Sequence, residues 1–231
     1  MRRLLKILIL TVTSTSGQIA LGNELDWRLV SAISRGIGGV SCDKNSVTLT
    51  AAGQDLSLVM SKMNINMTAG EQPRTKSQWA TCFIHLAVKI PRGFTISSNQ
   101  TTLLGGVLKD SGVSGYLDLV SAFTQRRPTG ISPFVLGVSP IGPVMHIYRT
   151  LKYQDDINEP LFDLTKTSNF TVSQKQALCR LTAKKPVEIG YSVQISLAAA
   201  RSSAQRNAVI NLDNFDGHVS LKTSAEECVR N

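Results

Sequence analysis

From Thr81 to Ile90 the chain alternates apolar and polar positions without interruption. Side chains of an extended backbone point to opposite faces in turn, so Cys82, Ile84, Leu86, Val88 and Ile90 share one face and Phe83, His85, Ala87 and Lys89 the other. A cysteine therefore heads the inward set. Pro91 has no ladder donor and Gly93 permits a turn, so the strand stops there and the chain resumes with Phe94 and Ile96. A longer alternation occupies the second half, where Val187, Ile189, Tyr191, Val193, Ile195 and Leu197 oppose Glu188, Gly190, Ser192, Gln194 and Ser196. One apolar face and one wet face is the pattern of an antiparallel sheet packed against another on one side only.

Shorter segments repeat the period. Val47 and Leu49, then Leu56, Leu58 and Met60, read as a hairpin turning through Ala51-Ala52-Gly53-Gln54, and Met63, Ile65 and Met67 extend the alternation as core filler. Leu117 and Leu119 alternate with Tyr116, Asp118 and Val120, a further strand covers Val144 to Tyr148, and a closing hairpin joins AVINLD to HVSLKT through Asn214-Phe215-Asp216-Gly217. These elements predict an all-β fold, an antiparallel β-sandwich of jelly-roll-like or Greek-key connection.

Elsewhere the period changes or fails. Leu25, Leu29, Ile33 and Ile37 recur every four residues and predict a short amphipathic N-terminal helix, with a disordered leader as the alternative; Gly36-Ile37-Gly38-Gly39 ends it. The Gly-rich stretch GGVLKDSGVSG reads as a separator between strands. Pro128, Pro133, Pro140 and Pro143 make Arg127 to Gly142 the least regular stretch, a long surface loop. Gln154 to Thr171 lacks a clear period and reads as a loop; its adjacent Asp155 and Asp156 point apart in an extended chain and make a poor acid-base pair.

The first 22 residues differ in kind. Arg2, Arg3 and Lys6 open the chain, with an apolar stretch from Leu4 to Val12 and then small residues, which is the pattern of a secretory signal peptide cleaved after Gly22, with Gly17 as the second candidate. The run is too short to span a bilayer, so no membrane insertion is expected once the leader is removed. The expected organisation is a signal peptide at 1–22, a leader or short helix at 23–35 and a single β-sandwich domain at 36–231. Losing the leader removes three of 25 basic residues and none of 16 acidic ones, lowering the formal charge from +9 to +6. The basic residues are scattered, with Arg126-Arg127 and Lys184-Lys185 the densest clusters, which argues against nucleic acid as a partner.

Export changes the meaning of the cysteines. Cys42, Cys82, Cys179 and Cys228 are even in number, and in an oxidising compartment they predict two disulfides. Three pairings are open, and Cys42 with Cys82 and Cys179 with Cys228 are favoured because each joins sequence-local partners. Bridges closing loops of this size contribute about 4 kcal/mol each by chain entropy. No Cys-x-x-Cys spacing suggests a metal.

Candidate chemistry is sparse. His85, His146 and His218 are isolated, with neither a Gly-x-Ser-x-Gly elbow nor a His-Glu-x-x-His motif, so no catalytic residue, metal ligand or cofactor is assigned. Trp79, Tyr116, Tyr148 and Tyr153 are the aromatic residues available to stack on sugars. Asn66-Met67-Thr68, Asn99-Gln100-Thr101 and Asn169-Phe170-Thr171 match the glycosylation acceptor pattern, which matters only in a eukaryotic host. The expected function is a secreted or periplasmic noncatalytic protein binding a glycan or an envelope protein. The alternatives are an exported hydrolase with an unfamiliar site and a self-associating matrix protein.

The order of these pieces resembles a known family. A Gly-rich entry to a cysteine (GIGGVSC), the hairpin SVTLTAAGQDLSLVM, the strand CFIHLAVKIPRGFTI, a Gly-Pro ahead of a later strand (IGPVMHIY), a third cysteine (ALCRL) and the closing AVINLDN are similar to the secreted bacterial and fungal proteins grouped as domain-of-unknown-function family 4360. The likeness runs from about Gly36 to Leu221. Asp43 stands where members commonly have proline after the first cysteine, and the family's tyrosine-rich middle is reduced to Tyr116. The resemblance implies an exported protein and no particular activity.

Overall fold

A computed structural model describes residues 25–37, 42–70, 76–124, 140–154, 158–212 and 218–229. Two antiparallel sheets stack as a sandwich. One has five strands in the order β1 (Asp26–Ile37), β5 (Ser77–Ile90), β10 (Val187–Arg201), β7 (Val113–Thr124) and β8 (Met145–Leu151). The other runs β2 (Val47–Ala52), β3 (Asp55–Met60), β12 (His218–Glu227), β6 (Phe94–Lys109), β11 (Ala208–Asn211) and β4 (Asn64–Met67), with β9 (Asn158–Asn169) pairing β6. A single helix among the described residues, α1 (Val172–Thr182), packs against β6.

Alternation builds the core. Cys82, Ile84, Leu86, Val88 and Ile90 of β5 and Ile189, Tyr191, Val193, Ile195 and Leu197 of β10 are all buried, facing Leu56, Leu58 and Met60 of β3 and Ile96 and Leu103 of β6. Within this apolar layer a polar chain crosses from sheet to sheet. The Tyr191 hydroxyl donates to Ser121 Oγ at 2.8 Å and accepts from Asn99 Nδ2 at 2.9 Å, while Asn99 Oδ1 accepts from Thr223 at 3.1 Å. Ser121 and Tyr191 belong to one sheet, Asn99 and Thr223 to the other. Phe123 lies 4.5 Å from the Tyr191 ring and Trp27 meets that ring edge-on at 5.8 Å, so the chain is sealed by aromatic packing.

Cys42 is joined to Cys82 and Cys179 to Cys228, with Cα atoms 5.6 and 5.7 Å apart. The first bridge fastens the approach to β2 onto the middle of β5, and the second ties α1 to the end of β12. Arg92, Gly93 and Phe94 therefore lie beside a cross-linked corner, where Gly93 N donates to Thr182 O and Cys228 N to Gly93 O.

Four expectations are corrected. The N-terminal segment is strand β1, paired with β5 from Asp26 to Ile37, and not a helix. A four-residue spacing is also a multiple of two, so Leu25 and Leu29 fit a strand face equally well; buried Trp27 between them carries the strand signal. The Gly-rich stretch separates β6 from β7 only between Lys109 and Val113, and the rest of it is strand. Gly105 and Gly106 lie within β6, where the pairing with β9 shifts register, and Gly115 lies within β7, where a Cβ would stand 2.0 Å from the Ala198 carbonyl oxygen. The turn itself is confined to the residues before Val113, with Gly112 at a φ of 82°. The aperiodic stretch before Thr171 is mostly strand β9, whose exposed Asp163, Thr165, Lys166 and Thr167 hide the alternation. The closing hairpin is absent: β11 and β12 lie end to end along the same edge of β6, which is long enough to pair with both in turn. The leader, Gly38 and Gly39, Arg126-Arg127, most of 127–142, Asp155-Asp156 and the 214–217 turn lie outside the described residues.

Helix α1 was not among the predicted elements. Its signal is the pair Thr171 and Gln174, which form a capping box: Thr171 Oγ1 accepts from Gln174 N, and Gln174 Oε1 accepts from Thr171 N.

Tyr191→Phe is expected to lower stability by about 1–3 kcal/mol, because it leaves Asn99 and Ser121 short of a partner in a dry layer. Burial also raises the Tyr191 pKa above 10, against hydrogen bonds that lower it. The stabilisation from keeping that phenol protonated is complete below pH 10 and is lost as pH rises through the raised value. Urea unfolding across pH should therefore show a shallower alkaline decline in the phenylalanine variant; an unchanged midpoint and slope would remove the role given to the network.

Candidate functional site

The face of the five-stranded sheet that looks away from the core carries the aromatic candidates. In β10, Ala198, Ser196 and Gln194 alternate with buried Leu197 and Ile195 and so point outward. Pairing aligns each with partners on both sides. Ala198 stands between Trp79 of β5 and Tyr116 of β7, with Thr150 of β8 beyond. In the next row Ser196 stands between Thr81 and Asp118, with Tyr148 beyond, and in the third Gln194 stands between Phe83 and Val120, with His146 beyond. Ile33 and Arg35 of β1 pair with Phe83 and Thr81 and extend the last two rows at the β1 edge.

Three large aromatics stand partly in solvent here: Trp79 at 40% exposure, Tyr116 at 38% and Tyr148 at 55%. Tyr116 and Tyr148 are held nearly parallel, centroids 6.1 Å apart with planes 30° apart. His146 packs beside Tyr148 at 6.0 Å, and its Nε2 meets Asp118 Oδ1 at 2.6 Å. That pair is half in water, which limits its energetic worth but fixes the imidazole beside the tyrosine. Arg35 lies over the Phe83 ring at 5.9 Å, Thr81 donates to Ser196 Oγ at 3.2 Å, and at the far edge Lys166 donates to the His146 carbonyl at 2.9 Å. The result is an aromatic face floored by small and hydroxyl side chains.

Of the four aromatics singled out by sequence, three meet on this face. Tyr153 follows β8 and its carbonyl accepts from Gly112 N at the β6–β7 turn. The sequence reading treated His146 as isolated. Its place was signalled by its distance of two residues from Tyr148, since residues two apart share a strand face. His218 opens β12 in the other sheet.

His85 shares the outer face yet is 1% exposed. Its Nδ1 pairs with Ser192 Oγ at 3.1 Å, while Nε2 and the facing Ser31 Oγ have no hydrogen-bond partner among the described residues. Burial lowers its pKa from 6.5, favouring the neutral ring. A concavity of about 950 Å³ lies beside the Cys179–Cys228 bridge, lined by Arg92, Phe94, Arg180 and Glu227. Its lining carries the Glu227 carboxylate beside two guanidinium groups, with no hydroxyl or imidazole among the described lining residues. Among the described residues no three His, Cys, Asp or Glu side chains gather as a metal site, and no helix is long and apolar enough to cross a membrane. The three sequons separate: Asn66 and Asn169 are exposed, whereas Asn99 is buried with both ends of its amide engaged in the core.

Two antiparallel sheets fastened by two disulfides define a disulfide-linked β-sandwich. The chain belongs to the family described as Domain of unknown function (DUF4360), whose model matches residues 30–228. Among curated proteins none matches. Two solved structures are similar at low scores. The enzymatically active domain of bacteriophage CBA120 tailspike protein 4 shows 9% identity and a TM-score of 0.25 over 87% of this chain, which spans only 19% of the tailspike chain. The module TmCBM61, solved in complex with β-1,4-galactotriose, shows 10% identity and a TM-score of 0.22, covering 87% of this chain and 88% of that one. Likeness this weak carries no argument about ligand or activity.

The sign of the His85 shift gives a pH test. A ring held neutral contributes stability that is complete above pH 6.5 and is lost as pH falls through its lowered folded value. Thermal melts from neutral pH downward should fall more steeply for the native protein than for His85→Asn, with the difference opening below pH 6.5; parallel curves would show that His85 titrates as if in water.

Proposed function

We propose that this chain is an exported, noncatalytic β-sandwich protein that binds a glycan on the outer face of its five-stranded sheet. The observation that carries this reading is the gathering of Trp79, Tyr116 and Tyr148, from three strands far apart in sequence, half-exposed on one face. Tyr116 and Tyr148 pack on each other, yet all three rings stay 38–55% exposed, and they offer flat apolar area with a polar edge to a ligand that has apolar faces and a rim of hydroxyls. Thr81, Gln194 and the Asp118–His146 pair stand beside the rings with groups able to donate to and accept from hydroxyls. Export is supported by the basic and apolar leader and by the two disulfides.

A hydrolase is the one second reading with an observation behind it, the Asp118–His146 pair. Glycoside hydrolysis ordinarily uses two carboxyl groups across the scissile bond, and the three rows carry one. Asp118→Asn decides between the readings: it should leave chromogenic glycoside and ester substrates as unreactive as before, and turnover abolished by that change would make the protein an enzyme.

Affinity electrophoresis through gels containing soluble polysaccharides tests binding. Trp79→Ala and Tyr116→Ala should lose retardation while keeping the native melting temperature, since both side chains are partly solvated already. Retardation unaffected by either variant would remove this face as the site. Expressed with its leader in an exporting host, the protein should be recovered outside the cytoplasm beginning at Asn23; retention in the cytoplasm would overturn export.

A further inference from the structure

The geometry points to one class of glycan: we infer that the face takes a neutral, extended hexose chain lying across the strands, its rings stationed on Trp79 and Tyr116. The inference rests on the glycan-binding reading above and specifies its ligand. Trp79 and Tyr116 flank Ala198 in a single cross-strand row, and are therefore two strand spacings apart, about 10 Å. One sugar ring in an extended β-linked chain advances by close to one strand spacing. Alternate rings of such a chain then fall over the two aromatics, and the ring between them passes over Ala198, whose methyl group leaves room. A chain running along β7 would meet Tyr116 followed by Asp118 and Val120, a single aromatic station, and one running along β5 would reach a second ring only at Phe83, four residues beyond Trp79 and covered by Arg35.

Charge selects the class further. The whole chain carries a formal +9, yet little of that reaches these rows. Arg35 sits at the β1 edge over Phe83, Lys166 reaches the β8 edge, and Asp118 with His146 is the one ionisable pair within the rows. Between Trp79 and Tyr116 there is only Ala198. An anionic polymer needs cations spaced along its path, and the row lacks them where the chain would lie. A neutral chain needs ring faces and hydroxyl partners, both of which are present. Asp118, aligned by His146 in the adjoining row and next to Tyr148, is placed to accept from ring hydroxyls at the Tyr116 end, which makes it the specificity-determining residue of the face.

The test titrates the oxidised full chain with cellohexaose and soluble β-galactan as neutral probes and with polygalacturonate and heparin as anionic ones. Expected is binding to a neutral probe that persists in 1 M sodium chloride, where the Debye length is about 3 Å, and that weakens about tenfold or more in Trp79→Ala and in Tyr116→Ala. Ala198→Arg gives an independent readout should either truncation fail to fold. It fills the gap with a cation, so it should weaken neutral binding, and a gain for the neutral probe would overturn the proposed path. Binding confined to polygalacturonate or heparin and abolished by salt would overturn the neutral-chain inference while leaving glycan binding standing. Binding to none of the four would overturn both.

Discussion

Strict side-chain alternation at the centre of the five-stranded sheet is the constraint on which the rest depends. Every inward residue of β5, β10 and β7 sends its neighbour outward, so the sequence that fills the core with Cys82, Ile195 and Leu119 also lifts Trp79, Ala198 and Tyr116 to the opposite surface. A slip of one residue would exchange the two sets and expose the core. The surface therefore cannot be altered in register without losing the fold, and the rings are held by backbone pairing rather than by flexible loops.

That register needs a guard, because an apolar layer alone tolerates many packings. The chain from Ser121 through Tyr191 and Asn99 to Thr223 meets its hydrogen-bond geometry only when the sheets sit in one relative position. Disulfides act at two other points. Cys42–Cys82 anchors the start of the seven-stranded sheet to the middle of β5, and Cys179–Cys228 closes the corner where α1 meets β12. Polar specificity and covalent linkage thus act on the same strands that carry the aromatic face.

Much of this was legible in the sequence where a strand has one dry and one wet side. The inward sets of β3, β5 and β10 follow directly from period two, as does the outward direction of Tyr116 and Asp118. Signals failed where the physics gave no such contrast. Edge strand β9 has few buried side chains from Phe162 onward, the spacing in β1 satisfied two periods at once, and α1 rests on a capping box in a short, mostly polar segment. The aromatic face itself was only half legible. Local pattern gives the direction of each ring, but the order β5, β10, β7, β8, which makes neighbours of residues as distant as Trp79 and Tyr148, arises from tertiary pairing that no local window contains.

The chain has two tryptophans, and the account assigns them opposite fates: Trp27 is buried against Tyr191, and Trp79 is open on the outer face. Acrylamide quenching of tryptophan emission, measured with and without saturating neutral oligosaccharide, tests this most directly. One quenchable and one protected population should be seen in the free protein, and the quenchable one should become protected when the glycan binds. Two equally protected tryptophans in the free protein, or a Trp79 that stays fully quenchable with ligand bound, would contradict it.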